Sequence, residues 1–254
     1  MSSRADGRSP HELRPLSCQW DIAANATGSV LLRSGRTEVI CTATVEESVP
    51  RWMKDQNVPG GWLTAEYSML PASTHDRKTR DSARGKVDGR STEIQRLLGR
   101  SLRAVTDLGA LGARSLWIDC DVLAADGGTR TTAITGGCLA LRRAIERLQG
   151  SGRISADPLR SPVAAISVGL WQGTALLDLD YPEDRDAEVD MNVVMTGAGR
   201  LVEVQASGEE HDFTRQEFDQ LLQLAEEGIR GVLSFQNAAW AARPLAIPLA
   251  PKPA

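Results

Sequence analysis

Apolar and polar residues alternate with a period of two over TEVICTATVEE (Thr37 to Glu47), a run rich in β-branched residues that a turn at Gly35 joins to the preceding apolar run GSVLLRS (Gly28 to Ser34). That pattern predicts a β-hairpin. From about Pro50 to Asp88 the pattern is lost, and the stretch, which contains the turn Pro59-Gly60-Gly61, reads as a long irregular loop of the kind that carries function. The period then changes. Ile94, Leu97, Leu98, Leu102, Val105 and Leu108 recur at helical spacing, with Arg96, Arg100 and Arg103 on the opposite, solvated face. At about 100° per residue Arg90 falls on the apolar side, where an inward guanidinium requires an anionic partner.

SLWIDCDVLAA (Ser115 to Ala125) alternates as a strand, and Ile134, Cys138, Leu141, Ile145 and Leu148 step as an amphipathic helix. Two hairpins are predicted next, PVAAISVGLW with TALLDLD about Gln172-Gly173, and VDMNVVMT with RLVEVQAS about Gly197-Ala198-Gly199. Thr214 with Glu217 has the spacing of a capping box, and Phe213 with Phe218 that of its hydrophobic staple, so a last helix starts there. The order of elements, with its many hairpins, predicts an α+β architecture of mixed sheets with split β-α-β units. No compositional break marks a linker. One domain is expected over 1–240, followed by an irregular, proline-rich tail over 241–254.

A chain of 254 residues, 41% hydrophobic, can bury a sizeable core. The first residues are polar, and no stretch reaches about 18 consecutive apolar residues, so neither export nor a membrane partner is expected. Cys18, Cys41, Cys120 and Cys138 show no paired spacing, which predicts reduced thiols and a cytoplasmic location. His11, His75 and His211 are not spaced as zinc ligands, leaving chemistry to carboxylates and arginines. The net charge of -4 argues against indiscriminate polyanion binding, yet His75 to Arg90 carries six basic residues against three acidic ones.

Two constellations carry candidate chemistry. In DGGTRTT, Gly127 and Gly128 permit close backbone approach, Thr129, Thr131 and Thr132 offer hydroxyls, and Arg130 offers a planar cation, all at a helix N-terminus. By chemistry this is an oxyanion site for phosphate; the bland alternative is a capped turn with a solvated arginine. LLDLDYPEDRDAEVDMN (Leu176 to Asn192) holds seven carboxylates, with Asp178 and Asp180 expected on one strand face and Glu183, Asp184 and Asp186 in a loop. Oxygen donors of this kind suit magnesium or manganese, unless they form a solvated acidic loop. Neither an ATP-binding loop nor a dinucleotide fingerprint is present. Together the features point to phosphoryl transfer on a nucleic acid.

RADGRSPHELRP, LTAEYSMLP, GRSTEIQRLLGRSLRAV, DCDVLAADGGTRTTAITGG and AEVDMNVVMTGAGRLVEVQASGE resemble the corresponding segments of the RNase PH family over nearly the whole chain. The resemblance implies a phosphate-dependent 3′ to 5′ exoribonuclease that trims transfer-RNA precursors and releases nucleoside 5′-diphosphates. It implies phosphate binding by Arg90, Gly128, Thr129 and Arg130, catalysis and magnesium (or manganese) binding by Asp184 and Asp190, and RNA contacts by Arg77, Arg80 and Arg84. It further implies a homohexamer built as a trimer of dimers. Two rivals are a hydrolytic nuclease using water on the same carboxylates, which leaves the DGGTRTT turn without a task, and an inactive RNA-binding ring subunit, expected to have lost Arg130, Asp184 or Asp190.

Overall fold

The computed structural model describes residues 4–208 and 212–246, without the side chains of Ser82 and Arg84. The predicted hairpins form as β2 (Gly28–Ser34) with β3 (Thr37–Glu46), β6 (Val163–Trp171) with β7 (Thr174–Leu177), and β8 (Val189–Thr196) with β9 (Leu201–Gly208). At the β6–β7 turn Gln172 (φ 49°) and Gly173 (φ 69°) both adopt left-handed backbone, the conformation a two-residue hairpin loop requires.

Two strands lie where the sequence pattern was not read as strand. One is β1 (Leu16–Trp20), antiparallel to β2; the other is β4 (Trp62–Met69), inside the stretch expected to be irregular. β4 turns Leu63, Ala65 and Tyr67 inward and runs parallel to β5 (Ser115–Ala124), the crossover being made by α3 (Gly89–Ala104). The same stretch also holds the short helices α1 (Arg51–Asp55) and α2 (Asp81–Arg84); α4 (Leu108–Leu111) follows α3. The strand order is β1-β2-β3-β5-β4 in the first sheet and β7-β6-β8-β9 in the second.

Helix α5 (Thr129–Gly150) lies between the sheets and is buried on most of its circumference. Small residues allow that approach: a Cβ on Gly136 would sit 2.6 Å from the Cys41 Sγ. β6 shows both faces of the second sheet at work. Val163 and Ala165 join the core around α5, whereas Ala164, Ile166 and Val168 join the core around α7 (Arg215–Ala241). The layers therefore run first sheet, α3 with α5, second sheet, α7. The capping box at Thr214 and Glu217 starts α7 as predicted, with Phe213 and Phe218 packed on the second core. Beyond α7 residues 243–246 have no regular structure, and the rest of the expected tail lies outside the described residues, as does His211.

All four cysteines are free thiols, and three of them are buried. Burial raises the Cys138 thiol to about 11. No helix among the described residues is long and apolar enough to cross a membrane.

Candidate active site

Residues from four separate elements meet at one cleft of about 620 Å³. It is lined by Arg90, Gly128, Thr129, Arg130, Asp184, Asp190 and Asn192, with the segment 185–187. Gly128 (φ 62°) is the N-cap of α5, and Thr129 and Arg130 open its first turn. There the helix's first N–H groups have no intrahelical acceptor and the macrodipole favours an anion. Arg130 is held at the cleft wall, its Nη1 donating to Gln205 Oε1 at 3.1 Å and lying 3.5 Å from Glu93.

The threonines divide their tasks. Those of Thr131 and Thr132 donate to the Gly128 carbonyl at 2.9 and 2.8 Å, so they close the turn and do not face a ligand, contrary to the sequence expectation. Thr129 Oγ1 accepts from the buried Tyr67 hydroxyl at 2.8 Å. With its acceptor side occupied, its own proton is directed elsewhere. Burial raises the Tyr67 pKa against the opposing influence of Thr129, Arg90 and Arg130, so the phenol remains a neutral donor.

Arg90, expected to point inward, is instead exposed on the first turn of α3 and lines the cleft. A helical wheel assumes core beneath every turn, and this first turn stands at the mouth of the cleft.

The acidic run splits. Asp178 and Asp180 do not share a strand face, because β7 ends at Leu177 and Asp178 takes a left-handed φ of 56°. Asp178 is buried against Arg14 at 2.6 Å, and Glu183 against Arg4 at 2.7 Å. Asp180 is the N-cap of α6 (Tyr181–Arg185), a helix where a loop was expected. It accepts from the Glu183 N–H at 3.1 Å, and desolvation raises its pKa. Asp186 pairs with Arg185, which lowers its pKa. Asp184, on α6, and Asp190, on β8, line the cleft together with Asp186, and Asn192 Nδ2 donates to Asp190 at 3.0 Å.

A second lobe of about 420 Å³ shares Arg90, Gly128, Thr129 and Asp184 with the first and continues past His75, Lys78 and Tyr181. Arg77 and Arg80 are exposed and line neither lobe, while the Arg84 side chain lies outside the described residues. Lys78 was present in the basic run but not singled out, and Tyr181 gives no sequence signal beyond its place beside the acidic residues.

Two family profiles match the chain: the 3′ exoribonuclease family, domain 1, over residues 12–145, and its domain 2 over residues 161–228. The first match ends within α5, and the second begins two residues before β6. Ribonuclease PH of Parasynechococcus marenigrum is 52% identical over 238 residues, 94% of each chain. That of Crocosphaera subtropica is 53% identical over 236 residues, 93% of this chain and 97% of the other. Among solved structures, rice (Oryza sativa) Rrp46 superposes with a TM-score of 0.74 at 21% identity, covering 92% of this chain and 98% of that one. The Archaeoglobus fulgidus exosome with RNA bound to the active site gives 0.77 at 19%, covering 92% of each chain. These two share the fold. Two profiles and relatives matched over almost their full length leave one assignment: the chain belongs to the ribonuclease PH family of 3′ exoribonucleases.

Proposed function

We propose that the cleft is the phosphorolytic centre, with inorganic phosphate held by Arg90, Gly128, Thr129 and Arg130 and the reacting end of the RNA held beside Asp184 and Asp190. The protein is a phosphate-dependent 3′ to 5′ exoribonuclease that processes the 3′ ends of transfer-RNA precursors. One observation carries the site reading: the N-terminus of α5, with its unpaired N–H groups, shares a single cleft with the carboxylates of Asp184 and Asp190.

In the reaction a phosphate oxygen attacks the last phosphodiester phosphorus, the bond from phosphorus to the 3′ oxygen of the penultimate nucleotide breaks, and a nucleoside 5′-diphosphate leaves. Arg90 and Arg130 neutralise the nucleophile so that two anions can meet. Either Asp184 or Asp190, when it is protonated and not holding a cation, gives its proton to the departing 3′ oxygen. The oxygen-only donors Asp184, Asp190 and Asn192 fit a hard divalent cation such as magnesium or manganese, held by the two carboxylates. Such a cation, when bound, supplies charge neutralisation at the scissile phosphate. Because a phosphoester is exchanged for a comparable phosphoanhydride, excess nucleoside diphosphate extends RNA ends.

The exposed Arg77 and Arg80, with Arg84, contact the RNA backbone, and a homohexamer gathers several such basic segments at one opening. Contributions from both sheets to one cleft support a single catalytic unit over 1–240. Four free thiols fit a cytoplasmic location. Incubating the protein with magnesium and a short 3′-labelled RNA, with and without phosphate, tests the reading. Diphosphates appearing only with phosphate support it, and monophosphates released without phosphate refute it.

A further inference from the structure

The densest buried ion network lies behind the cleft, not in it. Arg4, Arg8 and Arg14, from the segment preceding β1, are buried and converge on Asp178 and Glu183. Arg4 grips Glu183 with two parallel hydrogen bonds of 2.7 Å and donates to the carbonyls of Leu177 (2.8 Å) and Asp178 (2.9 Å). Arg14 donates from Nη2 to Asp178 Oδ1 at 2.6 Å and from its backbone N–H to Oδ2 at 2.8 Å. Its Nη1 donates to the Asp126 carbonyl at 2.6 Å. Buried ion pairs of this kind add little stability over a well-packed apolar substitute, but removing one partner strands a buried charge.

The network bears on both sides of the cleft. Arg14 draws the Asp126 carbonyl back, and Thr37 Oγ1 holds the Gly127 carbonyl at 2.7 Å. In a trans peptide the next N–H points opposite to the carbonyl, so these two anchors set the direction of the Gly127 and Gly128 amides. On the other side, α6 is one turn long and cannot hold itself. Glu183, fixed by Arg4, also accepts from the Asp180 N–H at 3.0 Å, and the next residue is Asp184. The two sides meet at Asp178, whose carboxylate takes Arg14 and whose carbonyl takes Arg4 and, at 3.0 Å, Arg8.

We infer that Arg14 and Arg4 are positioning residues of the reaction: Arg14 orients the phosphate turn, Arg4 orients the helix bearing Asp184, and Asp178 locks the two settings together. The inference rests on the reading that phosphate occupies the turn and that Asp184 acts beside it. Lysine cannot reproduce either fork, since one ammonium must replace a planar set of donors. Arg14→Lys is therefore expected to raise KM for phosphate about tenfold or more with kcat within about threefold of wild type. Arg4→Lys is expected to show the reverse split, and the double variant to depart from the product of the two single effects.

Steady-state kinetics of the full chain, varying phosphate against a short RNA, reads all three, with Arg130→Ala as reference. If Arg130→Ala raises KM for phosphate but the lysine variants only lower the melting temperature and the active fraction, the network is purely structural and the inference fails. If Arg130→Ala itself leaves KM for phosphate unchanged, the site reading fails instead. Asp178→Asn and Glu183→Gln preserve shape and carry the same test where a lysine variant does not fold.

Discussion

Replacing Gly127 by alanine perturbs the point at which the two sides of the cleft touch. Gly127 has φ +75°, and a Cβ there would stand 2.5 Å from the Leu179 carbonyl oxygen, 2.6 Å from the Asp180 carbonyl carbon and 2.9 Å from its Cα. All three are backbone atoms entering α6, so no side chain can swing aside. Ordinary contact begins at 3.4 Å, which requires the turn and residues 179–180 to part by about 1 Å. The left-handed backbone costs about 1–2 kcal/mol and the overpacking a further ~1–3 kcal/mol, a total of roughly 2–5 kcal/mol. A displacement of about 1 Å between reacting groups lowers the rate by roughly a hundredfold.

Gly173→Ala is the matched control. Its φ is +69°, nothing lies within 4 Å of the added Cβ, and it sits outside the cleft, so only the backbone cost applies. The assay is release of nucleoside diphosphate from a 3′-labelled RNA at saturating phosphate, corrected for the folded fraction by circular dichroism. If Gly127→Ala keeps wild-type kcat per folded molecule and loses no more stability than Gly173→Ala, the close contact between turn and helix has no role in catalysis.

Removing the Tyr67 hydroxyl (Tyr67→Phe) takes the donor from buried Thr129, and is expected to raise KM for phosphate severalfold and cost about 1–3 kcal/mol, read by phosphate saturation and by denaturant titration. Burial raises the Glu146 pKa, but hydrogen bonds from Arg243 and Arg143 outweigh it and leave the carboxyl below its ordinary value. Its stabilisation is present above the unfolded carboxylate range and is lost as pH falls through the depressed folded pKa. Glu146→Gln therefore lowers the melting temperature at pH 7, by about 2–4 °C if the partly exposed cluster contributes ~1 kcal/mol, and the difference closes in acid. Arg77→Ala and Arg80→Ala are each expected to raise KM for RNA, reduce the salt slope of binding by about 0.7, and leave KM for phosphate unchanged.

Most of the fold was legible in the chain because its apolar strand runs are punctuated by glycine turns and its long helices carry apolar residues at helical spacing. β4 escaped because Ala65 and Tyr67 mark its inner face weakly and a Pro-Gly-Gly turn suggests a loop. β1 is short, and its half-buried residues give little contrast. Within the site, DGGTRTT suggests an anion turn through local chemistry, but which of its threonine hydroxyls is left for the cleft depends on Tyr67, 62 residues earlier. The acidic run was read as one cluster because its neutralising arginines, Arg4 and Arg14, lie more than 160 positions away in sequence. Side-chain direction beyond a left-handed Asp178 is likewise invisible to alternation. Long-range pairing, not local pattern, decides which carboxylates reach the cleft.

The central claim is that the turn holds the attacking phosphate while the carboxylates serve the reacting end of the RNA. Phosphate-saturation curves for wild type, Arg130→Ala and Asp190→Asn test it most directly. The account predicts that Arg130→Ala raises KM for phosphate at least about tenfold, and that Asp190→Asn lowers kcat roughly a hundredfold with KM for phosphate near wild type. An Arg130→Ala enzyme that saturates with phosphate as wild type does, or an Asp190→Asn enzyme with wild-type kcat, would contradict it.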